Sequence, residues 1–107
     1  MEVKFKPIGW DVYCYQNGSY ENRDFIDCIT VIRPHPVESE TCVVGFVKGN
    51  LTHEFNTDIG KQCLALGFDR MIFSRPSGDN ASRYATKTHS NAGLDWYSVD
   101  LTIFKEV

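Results

Sequence analysis

Thr41-Cys42-Val43-Val44-Gly45-Phe46-Val47 is the most continuously apolar stretch of the chain, and together with the thirty residues after it this stretch decides the fold. Seven residues of this kind suit a central strand buried on both faces. Beyond them the hydrophobic period changes: from Thr57, the residues Ile59, Cys63 and Leu66 recur at spacings of four and three, the mark of an amphipathic helix. Asn56 or Thr57 can cap its start, Asp58 suits the positive end of its dipole, and Gly67 is placed to close it in the left-handed conformation. Gly60 costs this short helix about 1 kcal/mol relative to alanine, so the helix must depend on packing. Met71-Ile72-Phe73 then returns as a strand. A strand, helix and strand in this order form a right-handed crossover, which makes strands 41–47 and 70–75 parallel.

Working outward, the N-terminal half reads as strands. Val3-Lys4-Phe5-Lys6 alternates apolar and charged residues until Pro7. Trp10 to Gln16 and a Ser19-Tyr20 arm flank Asn17-Gly18, a two-residue signal for a β-hairpin. Phe25 to Ile32 is another β-rich run, closed by Arg33-Pro34-His35-Pro36. Toward the C-terminus, Asn80 to Thr88 reads as a short polar helix. Leu94 to Phe104 reads as a strand, with Trp96, Ser98, Asp100 and Thr102 on one face. The expected fold is a single α+β domain over residues 1–107. It has a mixed five- to six-stranded sheet, an N-terminal β-hairpin, one main helix at about 57–67 in a β-α-β crossover, and a short second helix at about 80–88.

Composition bounds the function. With 42% hydrophobic, 23% charged and 13% aromatic residues, the chain carries enough apolar surface for one core and does not resemble a disordered sequence. A net charge of −3 does not suggest a nucleic-acid mimic. Arg70, Arg75, Arg83 and Lys87 form a local basic segment, suited to a phosphate-bearing ligand but thin for nucleic-acid binding. Cys14, Cys28, Cys42 and Cys63 are too widely spaced for a zinc or redox knuckle and read as free structural thiols. The opening residues lack the apolar segment of an export signal, so a cytoplasmic, reducing location is expected, with no membrane contact. His35, His53 and His89 lack metal-ligand spacing, and no metal site is expected.

The order of elements, with Asp79-Asn80-Ala81-Ser82-Arg83 and Leu66-Gly67-Phe68, resembles a shortened core of the GNAT acyltransferases. The last helix of that family opens on Asn-x-Ala-Ser-Arg. The resemblance implies that strands 41–47 and 70–75 splay to admit a pantetheine arm. Lys48, Arg75, Asn80 and Arg83 would then hold phosphate or ligand, with His53 or Glu54 as base and Tyr84 near the position of the family's tyrosine acid. The family's glycine-paired pyrophosphate loop is missing from 48–57, which favours a non-catalytic reading. On that reading the chain is a small binding or accessory protein on a GNAT-like scaffold, comparable in type to those of viruses and mobile elements. It would need no cofactor and would grip a protein partner or a second copy of itself through Tyr13, Tyr15 and Trp96. The alternative is an acyl-CoA-dependent N-acyltransferase using acetyl-CoA. The two differ structurally. The enzyme needs a cleft between the parallel strands and free amides at 55–58, whereas the binding protein keeps those strands paired to their ends.

Overall fold

The computed structural model of the chain describes Met1, Val3 and residues 9–49, 51–78 and 84–105. It comprises β1 (Trp10–Cys14), β2 (Cys28–Pro34), β3 (Thr41–Gly49), α1 (His53–Ala65), β4 (Arg70–Pro76), β5 (Ala85–Asn91), β6 (Leu94–Asp100) and a 3-10 turn over Leu101–Phe104. These six strands make one mixed sheet in the order β1-β2-β3-β4-β6-β5. Among them only β3 and β4 run parallel, as the crossover requires. The chain is therefore an α+β domain with one main helix.

Helix α1 begins earlier than its apolar period suggests. Its cap is Thr52, whose hydroxyl accepts the Phe55 amide at 3.2 Å, rather than Asn56 or Thr57. The C-terminus behaves as expected: Gly67 has φ +100°, Phe68 N–H reaches the Cys63 carbonyl at 3.1 Å, and Gly67 N–H reaches that of Leu64 at 3.0 Å. This paired closure drives Phe68 into the core beside Cys63. Trp10 then packs edge-on against Phe68, with centroids 5.8 Å apart.

Three expectations need correction. The N-terminal hairpin pairs β1 with β2, not with Ser19-Tyr20. Asn17-Gly18 lies in the connecting loop, where Asp24 and Asp27 accept the amides of Ser19 and Gln16. The helix expected at 80–88 does not form over Ala85–Thr88, which belong to β5 (residues 79–83, including the motif that carries the resemblance, lie outside the described residues). The cause is the turn at Ala92-Gly93, where φ values of 53° and 79° fold β5 onto β6 as a two-residue hairpin. Finally, β6 stops at Asp100, whose carboxylate accepts the Thr102 amide at 3.0 Å and starts the 3-10 turn. The strand expected at 3–6 also falls mostly outside the described residues.

Helix α1 covers one face of the sheet, and the core gathers between them: Ile32, Ile59, Phe68, Val99, Leu101 and Phe104 with all four cysteines. Cys14 faces Cys28 across β1 and β2, and Cys42 and Cys63 are buried in the same core, with their thiols interacting. Burial, then the neighbouring Cys28, pushes the Cys14 thiol up to about 11. The Cys63 contact, then burial, pushes Cys42 up as well. Thiolate is the reactive form. The contact with Cys42 draws the Cys63 thiol down, but all four thiols are buried, so folded protein at pH 8 is expected to react negligibly with a disulfide reagent, and urea-unfolded protein to release all four thiols. Rapid labelling of one thiol in the folded state would contradict this packing.

Candidate functional site

The sheet is two half-sheets joined over a short length. β3 and β4 pair only at Thr41–Arg70, Cys42–Met71 and Val43–Ile72. Beyond that, β3 stays with β2 as far as Gly49, and β4 stays with β6 as far as Pro76. The cause lies in β3. Thr30 pairs with Val47 and Ile32 with Val44, so Gly45 and Phe46 together oppose Val31. One extra residue bends the strand and increases its twist, carrying it away from β4. The buried Thr30 hydroxyl donates to the Phe46 carbonyl and holds the bulge in place.

A cavity of about 430 Å³ opens in this gap and continues beneath the first turns of α1. β3 contributes Val44, Phe46 and Val47, and β4 contributes Met71, Phe73, Ser74 and Arg75. The innermost wall is Val99, Leu101 and Phe104. Such a volume and largely apolar lining are those of a small-molecule site.

The structure gathers some of the expected site residues and separates others. Tyr84 lines the cavity, its ring edge-on to Phe104 at 5.7 Å and stacked on His53 at 5.9 Å. His53 thus stands beside the cavity at the first position of α1. Glu54 follows it and is exposed. Neighbours on a helix do not face each other, so the two make no acid–base pair. Arg75 lines the cavity, its guanidinium 5.9 Å from the Phe73 centroid. Lys48 sits at the exposed end of β3, and Asn80 and Arg83 lie outside the described residues. The amides of Phe55 and Asn56, expected to be free, are taken by the Thr52 hydroxyl and carbonyl. Helix geometry leaves those of His53 and Glu54 without an intrahelical acceptor.

The basic segment is not a continuous patch. Arg70 donates to Ser98 at 2.8 Å and lies 3.5 Å from Glu38, while Lys87 lies 3.5 Å from Asp95. Exposed pairs like the first contribute about 0–1 kcal/mol. Asp95 is the better anchor, accepting from Ser90 at 2.6 Å and Ser77 at 3.1 Å. The Ser90 hydroxyl above all, helped by Ser77 and Lys87, holds its carboxyl below the ordinary 3.8. A lowered carboxyl pKa contributes stability that is present above pH 3.8 and lost as pH falls through the folded value. Asp95→Asn is therefore expected to lower Tm at pH 7 and to shrink the wild-type advantage below pH 3.8. An equal Tm gap at pH 7 and pH 2.5 would contradict it.

The aromatic residues expected to form one partner surface are dispersed. Tyr13 on β1 is partly exposed and stacks on Tyr20 at 5.6 Å; Tyr15, just past β1, is half-buried. Trp96 on β6 is half-buried and stacks on His89 at 5.9 Å. Three strands lie between β1 and β6, a separation of roughly 19 Å at the usual strand spacing. Among the described residues no cluster of three or more metal-ligating side chains occurs, and no helix is long and apolar enough to cross a membrane. Sequence reasoning missed Leu51, Met71, Phe73 and Phe104 as lining residues. The available signal was Gly45, an isolated glycine in an apolar strand, which points to a bulge.

No protein-family model and no curated protein matches the chain. Among solved structures, it is similar to a protein of Desulfovibrio desulfuricans assigned to the GNAT family of acetyltransferases. The TM-score is 0.55 at 12% sequence identity, covering 85% of this chain and 67% of that one. Identity this low speaks for the fold alone: the chain resembles a GNAT-type domain in architecture.

Proposed function

We propose that the chain binds an acyl-coenzyme A in the gap between β3 and β4 and transfers the acyl group to an amine. The observation that carries this reading is the parting of the two parallel strands after Val43 and Ile72, with a cavity of about 430 Å³ where a ladder would otherwise run. Unpaired strand edges offer main-chain donors and acceptors to an extended amide-bearing ligand, as an added strand would use them, and a pantetheine arm is such a ligand. The bulge at Gly45-Phe46 leaves one residue of β3 out of the ladder, so a spare amide is available to polarise a thioester carbonyl. Arg75 and the first amides of α1 supply positive potential for phosphate.

In this scheme the amine nitrogen attacks the thioester carbon. The C–N bond forms as the C–S bond breaks, His53 takes the amine proton, and the Tyr84 hydroxyl protonates the departing thiolate. The test is thermal unfolding with acetyl-CoA, free coenzyme A or ATP. A ligand at 100 times its Kd adds about 2.7 kcal/mol, a rise on the order of 10 °C for this chain. A rise with both coenzymes and not with ATP supports the reading, and no rise in folded protein sinks it.

A different observation favours a second reading. Tyr13 and Tyr20 stack as a partly exposed aromatic patch at the β1 end of the sheet, and Phe25, in the same β1–β2 connection as Tyr20, is 97% exposed. Such a patch fits contact with a protein or a second copy. Sedimentation of wild type and Tyr20→Arg across concentrations tests the homodimer, which a concentration-independent monomer would rule out.

A further inference from the structure

The cavity has two halves of different chemistry. The outer half lies between the unpaired lengths of β3 and β4, where main-chain groups, Ser74 and Arg75 are at hand. The inner half runs under α1 against mostly apolar side chains: Met71, Val99, Leu101 and Phe104, with Leu51 at its side and Asn56 and Tyr84 as its uncharged polar members. Leu101 is fully buried, and Val99 and Phe104 nearly so. Among the described residues, no lysine, arginine, aspartate or glutamate other than Arg75 contributes to the lining. A charged group placed in the inner half would lose its hydration without a charged partner, at a cost of several kcal/mol. An acetyl group would set a single methyl against this apolar wall and leave the rest of it facing a void that holds water poorly.

We propose that the inner half receives an unsubstituted acyl chain of several methylenes, so that the donor is a medium-chain acyl thioester rather than acetyl-CoA. This inference rests on the acyl-coenzyme A reading of the site. Met71 makes an adaptable wall, since an unbranched, half-buried side chain can shift to follow a flexible chain, and Leu51 beside the cavity is half-buried too. Each methylene buried here strengthens binding about fourfold. The six methylenes that separate octanoyl from acetyl therefore carry well over a hundredfold. A dicarboxylic acyl group such as succinyl gains nothing, because its distal carboxylate meets no cation in the inner half.

Calorimetric titration of the whole chain with free coenzyme A, acetyl-CoA, octanoyl-CoA and succinyl-CoA tests this. Octanoyl-CoA is expected to bind at least a hundredfold more tightly than acetyl-CoA, and succinyl-CoA no better than acetyl-CoA. Leu51→Trp, on the connection ahead of α1, should fill the inner half and cut the octanoyl advantage below tenfold. Equal affinity for acetyl- and octanoyl-CoA would overturn the acyl pocket while leaving the acyl-coenzyme A reading standing. An octanoyl advantage untouched by Leu51→Trp would overturn it too, by putting the chain elsewhere. Silence from all four in folded protein would remove both.

Discussion

Phe104→Ala is expected to cost about 3–5 kcal/mol of stability, a fall in Tm of roughly 12–30 °C for a chain of this size. Phe104 is 7% exposed, belongs to the core and closes the inner wall of the cavity. Its ring lies against Gly60 of α1 and edge-on to Tyr84, so three elements meet on one side chain. Removing it leaves a hole next to an existing cavity, where the surroundings have little left to collapse onto. A loss under about 1 kcal/mol in a denaturant titration would mean that α1 does not depend on this contact.

The same ring explains a glycine that the sequence presents only as a weakness. A Cβ built on Gly60 would stand 2.5 Å from the Cδ2 and Cε2 of Phe104, nearer than carbon atoms approach. Two effects then compete in Gly60→Ala. Helix propensity favours alanine by about 1 kcal/mol, and overpacking against a buried ring costs about 1–3 kcal/mol. Overpacking wins because the ring has the core behind it, so Gly60→Ala should destabilise by about 1 kcal/mol. Adding Phe104→Leu should recover part of the loss, making the pair less costly than the sum of its members. Stabilisation by Gly60→Ala alone would mean that the helix stands off the 3-10 turn.

What the residues disclosed in advance depended on how local their signals were. The parallel pair and its crossover were legible because an apolar run, a 3.6-residue period and a second run occupy consecutive stretches of the chain. The start of α1 was not, since His53-Glu54-Phe55-Asn56 carries little apolar rhythm and the Thr52 cap shows itself only through its bond to Phe55. β5 was hidden for the opposite reason: Thr86, Lys87, Thr88 and His89 are polar on both faces of an edge strand, and pairing with β6 overrides a propensity that points nowhere. Its turn uses Ala92 at positive φ, a position that glycine or asparagine usually fills. The site was legible in pieces. Tyr84 and Arg75 both stand on the cavity, yet the cavity exists because of one extra residue in β3, and a bulge is fixed by register between strands rather than by any local pattern.

Tyr84→Phe is expected to lower the acyl-transfer rate by about 10²- to 10⁴-fold, the range for losing a positioned proton donor, while coenzyme binding stays within twofold. The substitution keeps the ring, and with it the stacking on His53 and the edge contact with Phe104, so packing barely changes. That makes the variant a probe of the hydroxyl rather than of the ring. On a residue of the cavity wall, the hydroxyl is assigned to the leaving thiolate rather than the incoming amine, because the thioester sulfur belongs to the ligand lying in the gap. The effect should then depend on the leaving group. An acyl donor whose thiol is more acidic needs less help from a proton, so Tyr84→Phe should lose less rate with a thiophenyl ester than with an alkyl thioester. His53→Ala, acting on the amine, should lose rate equally with both donors. A Tyr84→Phe rate within threefold of wild type would take the tyrosine out of the chemistry and leave it as a wall of the cavity.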